Sequence, residues 1–457
     1  MQAHPGDEQP ECVHGAEPVQ ASVHGAGQTV CTVHAVFRRW LGDEFDLDSI
    51  DAVLCTLAAE RLGGDPLWLL LISGSGNAKT ETAAAAVGAG AWMTSSISSE
   101  GALLSGTPGR EKARDATGGL LRKIGDSGVL VIKDVTTILS MSRESRAGVL
   151  AALREVYDGY WERNVGADGG RSLTWKGRIA VIGAVTTAWD RAHEVIASMG
   201  DRFVLLRMDS TVGRSAAGRQ AIANTGHEAA MRAELAAAVR DAIATTDPRL
   251  AQLDDDDSDR LLRAADLVTL ARTGVEYDYR GDVIDAHAPE MPTRFAKQLA
   301  QVARGGLALG MSRERALRLA VRCARDSMPP LRLAILLDVA ANPDASTSDV
   351  RKRLGKPRAT VDRQLQALNM LGVLDVDEFD SHRGTVWRYR VSDGIDPTAL
   401  VVPEMSVGGT VSLPNPITSC TDISGTTSSV HDREINFSPR LRGAGGAVTD
   451  PRTGGAS

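Results

Sequence analysis

One loop of the sequence has residues and spacing that can hold phosphate groups. Residues 68–72 are all apolar and predict a buried strand, residues 73–80 (SGSGNAKT) follow, and a helix comes next. Phosphate loops of the pattern GxxxxGK[ST] curl backbone N–H groups around the anion at a helix N-terminus. They add a lysine for the terminal phosphates and a hydroxyl for magnesium. Lys79 and Thr80 supply both groups, so the loop predicts nucleotide binding.

The loop departs from this pattern at both prescribed glycines. Ser73 stands at the first, and Ala78 at the second puts a methyl group where the chain normally approaches phosphate most closely. Gly74 and Gly76 lie between them and can supply the backbone flexibility. The alternative is a Gly/Ser loop that only joins a strand to a helix. The candidate nucleotide ligands are Gly74, Ser75, Gly76, Asn77, Ala78, Lys79 and Thr80.

Two later apolar runs end in polar residues and predict further strands of the same sheet. Residues 129–132 are followed by Lys133 and Asp134, and residues 177–185 by Thr186. A carboxylate at the end of a core strand can reach magnesium through water or beside the loop hydroxyl. We therefore expect Asp134 to act in the same site as the phosphate loop.

The order of the elements predicts an α/β fold. From residue 68 to 208, short apolar runs alternate with helical stretches, which is typical of a parallel sheet, and residues 157–176 predict a hairpin around a Gly-rich turn. Residues 215–328 are rich in Ala, Arg and Leu and predict helices. The predicted divisions are a disordered segment 1–35, an α/β core 36–212, a helical lid 213–328, a helix-and-hairpin unit 329–397 and a disordered tail 398–457.

Taken in order, these features resemble the AAA+ ATPases. The order along the chain is a loop lysine, a strand ending in aspartate, a helix, a hairpin, a strand with a polar end and Asp-Arg-Phe at 201–203. This order is similar to the AAA+ branch with a β-hairpin before the sensor-1 strand. That branch includes minichromosome-maintenance helicases, viral replicative helicases and bacterial enhancer-binding activators. Residues 291–299 (MPTRFAKQL) resemble the lid helix with the sensor-2 arginine, so the resemblance covers residues 40–328 and implies a P-loop parallel sheet with a helical lid.

The resemblance implies a site for ATP and Mg²⁺. Lys79 would hold the β- and γ-phosphates, Thr80 with Asp134 would hold Mg²⁺, and Thr186 falls where the family places a sensor-1 asparagine. The family's catalytic glutamate is replaced by Val135. Binding of ATP is therefore predicted separately from its hydrolysis.

Three further residues receive catalytic or binding roles. Arg202 would be the finger that reaches a neighbouring subunit's phosphate in a homo-oligomeric ring, and Arg294 the sensor-2 contact. The alternative for Arg202 is a surface ion pair with Asp201 or Glu194. Glu100 could replace the missing base, and its alternative is an ordinary surface glutamate.

The predicted unit at 329–397 is similar to a winged helix-turn-helix. Residues 333–341 repeat apolar residues at helical spacing, Ser346 and Asp349 predict a capped second helix, and a third helix runs from Pro357 until Gly372. A hairpin follows. With the core, this combination is similar to ATPase–winged-helix proteins of actinobacterial phages and integrative elements.

Basic residues gather on the second and third of these helices. Between Asp349 and Arg363 six basic residues face two acidic ones, which suits phosphate contacts, while Arg363 and Gln366 could read bases in the major groove of double-stranded DNA. The alternative is a winged helix that contacts only protein. The candidate DNA ligands are Arg351, Lys352, Arg358, Thr360, Arg363, Gln366, Arg383 and Arg388.

Composition limits the remaining classes. The 457 residues include 51 Lys plus Arg and 58 Asp plus Glu, so the net charge of −7 argues against coating of nucleic acid by the whole surface. No run of about 18 apolar residues predicts a membrane span. Five scattered cysteines indicate neither disulfides nor a metal knuckle, so we expect a cytoplasmic protein. His14, His24 and His34 recur ten residues apart without metal-binding spacing, and we expect disorder there.

Three classes of function follow. The first is an oligomeric DNA translocase or replication-type motor of a mobile element, whose hairpin (Trp161, Arg163, Arg171, Lys176) would face the ring channel and touch DNA. The second is an ATP-gated winged-helix regulator or signalling switch with little or no hydrolysis. The third is a degenerate phosphate loop used as a scaffold.

Overall fold

The strand before the phosphate loop lies inside a five-stranded parallel sheet. The structure, a computed structural model, describes residues 19–107, 114, 116–166, 169–190, 202–381 and 384–402. The strands of this sheet are β1 (Trp68–Ile72), β2 (Trp92–Thr94), β3 (Ser127–Ile132), β6 (Arg178–Val185) and β7 (Val204–Arg207). Their spatial order is β2-β3-β6-β1-β7, with every neighbouring pair parallel. The predicted α/β class is confirmed.

Strand β1 separates two apolar cores because successive side chains point to opposite faces of a sheet. Leu69 and Leu71 face one core, and Trp68, Leu70 and Ile72 face the other. The first core is covered by α1 (Val19–Leu41), α2 (Leu47–Glu60) and α3 (Lys79–Ala84). The second is covered by α4 (Glu100–Leu103), α5 (Leu120–Ile124), α6 (Thr136–Leu139), α7 (Arg143–Tyr157) and a hairpin of β4 (Tyr160–Val165) and β5 (Arg171–Lys176).

The segment predicted as a helical lid is mainly helical. Its helices are α8 (Arg214–Ala223), α9 (Glu228–Ala244), α10 (Asp255–Ala271), α11 (Thr293–Ala308) and α12 (Arg313–Asp326). It also contains an antiparallel hairpin of β8 (Val275–Tyr277) and β9 (Val283–Ala286), which the sequence analysis missed. Strands of three and four residues are too short for an alternating apolar pattern to appear.

Three helices and a small antiparallel sheet form the C-terminal part of the described chain. They are α13 (Pro330–Ala341), β10 (Ala345–Ser346), α14 (Thr347–Leu354), α15 (Arg358–Met370), β11 (Leu374–Ser381) and β12 (Gly384–Val391), with strand order β10-β12-β11. Ser346 and Asp349 form the predicted capping box. Val361, Leu365 and Leu368 are buried on one face of α15, as predicted.

Both predicted disordered ends extended too far into the chain. Helix α1 covers Val19–Leu41, and Val30 and Val33 are buried in the first core, so the prediction is wrong for residues 28–35. Residues 397–400 form a 3₁₀ turn whose Leu400 is also buried. Residues 1–18 and 403–457 lie outside the described part of the chain. A few apolar residues with wide spacing anchor these segments, and composition alone does not reveal such anchors.

Within the residues that the structure describes, none of the helices has the length and apolar content needed to cross a bilayer.

Candidate nucleotide and nucleic-acid sites

The phosphate loop opens directly onto the N-terminus of α3. Gly76 has φ +80°, and Ala78, the residue before the helix, has φ 52° and ψ 8°. Both lie in the left-handed region, which costs an L-residue such as alanine roughly 1–2 kcal/mol. Ala78 therefore adopts a left-handed conformation that glycine usually takes at this position of a phosphate loop.

Lys79 is folded back over the loop. Its Nζ donates to the Gly74 carbonyl at 2.9 Å, and the residue is buried. Burial lowers the pKa of Lys79, while the Asp134 carboxylate acts in the opposite direction. The Lys79 ammonium and the Asp134 carboxylate therefore influence each other electrostatically. They are the two groups to which the sequence analysis assigned contacts with phosphate and with Mg²⁺.

Asn77 fixes the loop to the neighbouring strand. Its side-chain Nδ2 donates to the carbonyls of Met208 at 3.4 Å and Asp209 at 3.0 Å, just after β7. The Ser73 amide donates to Val185 O at 3.4 Å, at the end of β6. The loop is thus tied to both strands that flank β1.

Asp134 and Thr186 follow β3 and β6 at the same edge of the sheet. The Asp134 carboxylate accepts from the Thr136 amide at 2.9 Å, and the Thr186 amide donates to Thr136 Oγ1 at 3.4 Å. Asp134 and Thr80 are both exposed, so both oxygens are accessible to a ligand. Thr136, which links the two strand ends, was not predicted. Its signal is a hydroxyl two residues after the strand-end aspartate.

Val135 stands where the resemblance to AAA+ ATPases led us to expect a catalytic glutamate. It is only 4% exposed and belongs to the second apolar core. A Cβ on Gly183 of β6 would come within 2.8 Å of Val135 Cγ2, so the two positions are packed closely. The residue before Val135, Asp134, is exposed and presents its carboxylate at this edge of the sheet.

Glu100 has a partner other than the phosphate loop. Its Oε1 accepts from Arg163 Nε at 3.1 Å and Nη2 at 2.6 Å, and Arg163 Nη1 donates to the Leu104 carbonyl at 2.8 Å. Glu100 therefore ties α4 to β4. Its suggested role as a substitute base has no support from this arrangement.

The β4–β5 hairpin uses most of the side chains that were predicted to touch DNA for contacts within the chain. Trp161 is 6% exposed and pairs across the hairpin with buried Trp175. Arg171 donates to the Thr107 carbonyl at 2.9 Å, and Arg163 is taken up by Glu100. Of the four predicted contacts Lys176 is exposed, Arg163 and Arg171 are half-buried and Trp161 is buried, so the described geometry favours a DNA contact at Lys176 alone of the four.

Arg202 and Arg294 lie at the edge of the sheet opposite the phosphate loop. Arg202 precedes β7, donates to Asp158 at 3.1 Å and lies over the Tyr157 ring. Its carbonyl accepts from Gln298 of α11, the helix that begins beside Arg294. The five residues of β1 span about 16 Å at roughly 3.3 Å per residue. Arg294 is therefore not beside the loop of its own chain, which corrects its placement as a ligand there.

Helices α14 and α15 present the predicted basic surface. Lys352, Arg358 and Thr360 are exposed and Arg351 is partly exposed. Arg353 instead holds α14 to α13, because it donates to the Asp338 carboxylate at 2.7 and 2.8 Å. The remaining cations are available to phosphate groups.

Other predicted DNA ligands already have contacts within the chain. Arg363 donates to the Arg280 carbonyl at 3.0 Å, and Gln366 donates to Asp362 at 3.2 Å. Arg388 donates to the Asp344 carbonyl at 2.8 Å. Arg383 lies outside the described residues.

The β11–β12 ribbon is more acidic than the sequence analysis assumed. Strand β11 carries four acidic residues, of which Asp375 lies opposite Arg390 and Asp377 opposite Arg388; the other two are Glu378 and Asp380. Arg390 pairs with both Asp375 and Asp377. These carboxylates make the described part of the ribbon a weaker phosphate-binding surface than α14, α15 and their connection.

Comparison with known proteins adds little to this geometry. No family model and no curated protein matches the chain. Among solved structures, the chain is similar to one described as the A-form apo structure of the NrS-1 C-terminal region, at 10% identity and a TM-score of 0.24, over 80% of this chain and 76% of that one. A likeness of this size carries no argument about fold or function.

Proposed function

We propose that this protein binds ATP with Mg²⁺ at the loop 73–80 and uses the bound nucleotide to control DNA binding by α14 and α15. The observation that carries the nucleotide site is the common position of three groups. Lys79, Asp134 and Thr186 follow β1, β3 and β6, neighbouring parallel strands whose carboxyl ends meet at one edge. Ligands of open α/β sheets bind at this edge.

The chemistry of the loop fits a nucleotide triphosphate. The N-terminus of α3 offers backbone N–H groups to an anion. Lys79 adds a cation, whose Nζ donates a hydrogen bond to the neutral carbonyl oxygen of Gly74. Phosphate oxygens would accept from Lys79 in place of that carbonyl. Thr80 and Asp134 would hold Mg²⁺, which prefers oxygen ligands. Thr186 and Thr136 would orient groups beside the terminal phosphate.

The DNA-binding half of the proposal rests on α13, α14 and α15 with the three-stranded sheet. Their order along the chain, helix–strand–helix–helix–strand–strand, supports a winged helix-turn-helix arrangement. The exposed Lys352 and Arg358 and the partly exposed Arg351 would contact phosphates, which predicts salt-sensitive binding to duplex DNA. A protein that uses both ATP and DNA would act in the cytoplasm.

A switch with slow hydrolysis is the form of this function that the geometry supports best. Position 135 is apolar and buried, so the water-orienting glutamate of related enzymes is missing. Trp161, Arg163 and Arg171 of the hairpin are engaged inside the chain. Both features weaken the case for a motor that turns over ATP and pulls DNA through a ring.

A ring-shaped motor remains the second candidate because of Arg202. This residue precedes β7, at the edge of the sheet that the length of β1, about 16 Å, separates from the phosphate loop, and the helix of Arg294 contacts its carbonyl. Either arginine would therefore have to act on a nucleotide held by a neighbouring subunit. In this chain Arg202 is paired with Asp158. A second subunit would have to compete for it.

The test measures ATP affinity and hydrolysis with and without duplex DNA. Lys79→Ala should abolish ATP binding, whereas Lys123→Ala, which removes an exposed lysine of α5, should leave it unchanged. Tight binding with little turnover supports the switch, and DNA-stimulated turnover supports the motor. ATP affinity that is equal in wild type and Lys79→Ala would refute the nucleotide site.

The motor has its own test with mixed subunits. In a ring, Arg202→Ala should bind ATP but lose hydrolysis, and mixing it with Lys79→Ala subunits should restore part of the activity. Sedimentation with ATP, Mg²⁺ and DNA should then show an oligomer. A monomer whose turnover is unchanged by Arg202→Ala would exclude this mechanism.

A further inference from the structure

The short hairpin of β8 and β9 packs against the helix that is proposed to read DNA. Arg363 Nη2 of α15 donates to the Arg280 carbonyl at the hairpin tip, and Gln364 Nε2 donates to the Tyr277 hydroxyl at 3.5 Å. A Cβ placed on Gly281 would overlap the Arg363 guanidinium. The guanidinium thus lies directly against the hairpin backbone, and Gly281, with φ +84°, allows that close approach.

The hairpin carries the charge of a competitor for DNA. Residues 275–286 contain four carboxylates, on Glu276, Asp278, Asp282 and Asp285, against the single basic residue Arg280, so the net charge is −4 + 1 = −3. Phosphates of a duplex would meet the same basic surface of α14 and α15. Like charges cannot share that surface without a cost, because exposed carboxylates repel phosphates at short range.

The hairpin tip is held in shape by its own bonds. Asp278 accepts from the amides of Arg280 and Asp282, both at 2.8 Å, and the Asp278 amide donates to the Asp282 carbonyl at 2.9 Å. Tyr279 at the tip is 89% exposed. A tip that is ordered locally can leave α15 as a unit without unfolding.

From these contacts we propose that the β8–β9 hairpin is an autoinhibitory cover of the DNA-binding helix α15. When the hairpin is docked, its Arg280 carbonyl accepts the hydrogen bond from Arg363, and its acidic loop lies beside the basic surface. Duplex DNA binds fully only after the hairpin has moved away. This inference rests on the proposed DNA-binding function, and it identifies the hairpin as the element that limits DNA binding.

The test uses the full-length protein and a fluorescent duplex of random sequence at low salt. Asp282→Asn with Asp285→Asn removes two hairpin charges without adding bulk. The charge-matched control is Asp255→Asn with Asp256→Asn, on exposed residues at the start of α10, about 24 Å along that helix from the hairpin at 1.5 Å per residue. If the hairpin is docked about nine-tenths of the time, releasing it should tighten binding roughly tenfold. The control should change affinity far less.

A second comparison isolates Arg363. In the wild type, Arg363→Ala removes a candidate DNA contact and also the bond that docks the hairpin, so its two effects on DNA affinity oppose each other. In the background of the two hairpin substitutions, Arg363→Ala should weaken binding clearly.

The outcomes separate this inference from the function it rests on. Binding that the hairpin substitutions leave unchanged or weaken overturns the cover while leaving DNA binding intact. Weakened binding would make the hairpin itself a DNA contact. Failure of the wild type and of every variant to bind duplex DNA at low salt overturns both proposals.

Discussion

Ala78 provides a direct test of the phosphate-loop geometry. At φ 52° and ψ 8° it lies in the left-handed region, where its methyl group costs roughly 1–2 kcal/mol. Ala78→Gly removes that strain but adds roughly 0.5–1 kcal/mol of chain entropy lost on folding. The difference predicts that Ala78→Gly increases the free energy of unfolding by about 0.5–1 kcal/mol.

Ala84 is the matched control because the same substitution there should have the opposite sign. Ala84 has φ −67° and ψ −24°, an ordinary right-handed conformation. Ala84→Gly gains no relief of strain and should decrease the free energy of unfolding by about 0.5–1 kcal/mol. The two variants should therefore differ by about 1–2 kcal/mol although each removes one methyl group.

Urea unfolding without nucleotide, followed by far-ultraviolet circular dichroism, measures both effects. The midpoint should rise for Ala78→Gly and fall for Ala84→Gly at equal slope. A midpoint that falls equally in both variants would show that Ala78 is not left-handed. Because the methyl group lies where phosphate approaches, Ala78→Gly should also bind ATP more tightly than wild type, and an unchanged affinity would refute that part of the reasoning.

Two further predictions concern buried charges. Burial raises the pKa of Glu60 from 4.5 to about 7, although Arg178 acts in the opposite direction. Because the folded protein holds this proton more tightly than the unfolded chain, Glu60 stabilises the fold fully below pH 4.5, and this stabilisation is lost as the pH rises through 7. Urea midpoints should fall between pH 5 and pH 8, and Glu60→Gln should flatten that fall. Arg322 donates to Asp48 at 2.6 Å, and Arg322→Met should cost about 3–5 kcal/mol in urea unfolding, whereas Arg240→Met, at an exposed ion pair, should cost less than about 1 kcal/mol.

Features set by neighbours in the sequence were predictable without the tertiary structure. The apolar run 68–72, the loop and the following helix form a strand, a turn and α3 in that order. The capping box of Ser346 and Asp349 spans three residues and formed as expected. Such features depend on backbone conformation and on hydrogen bonds within one turn, so a short stretch of sequence contains all the groups involved.

Only the tertiary structure decided which partner each charged side chain contacts. Arg163 finds Glu100 across 63 positions of the chain, and Arg363 meets the hairpin tip across 83. A sequence shows that these arginines are charged but not which carboxylate or carbonyl will be nearest after folding. Residues expected to contact DNA therefore turned out to hold elements of the protein together.

The side of the sheet on which a residue lies was also a tertiary matter. Asp134 and Thr186 could be placed beside the phosphate loop because carboxyl ends of parallel strands meet at one edge. Arg294 belongs to a helix, and a helix can pack against either edge of a sheet. The contact of Gln298 with the Arg202 carbonyl puts that helix at the far edge. The sequence alone determined which groups are available for chemistry, and the packing of α11 against the sheet decided which of them can act together, because only packing sets distances between elements that are remote along the chain.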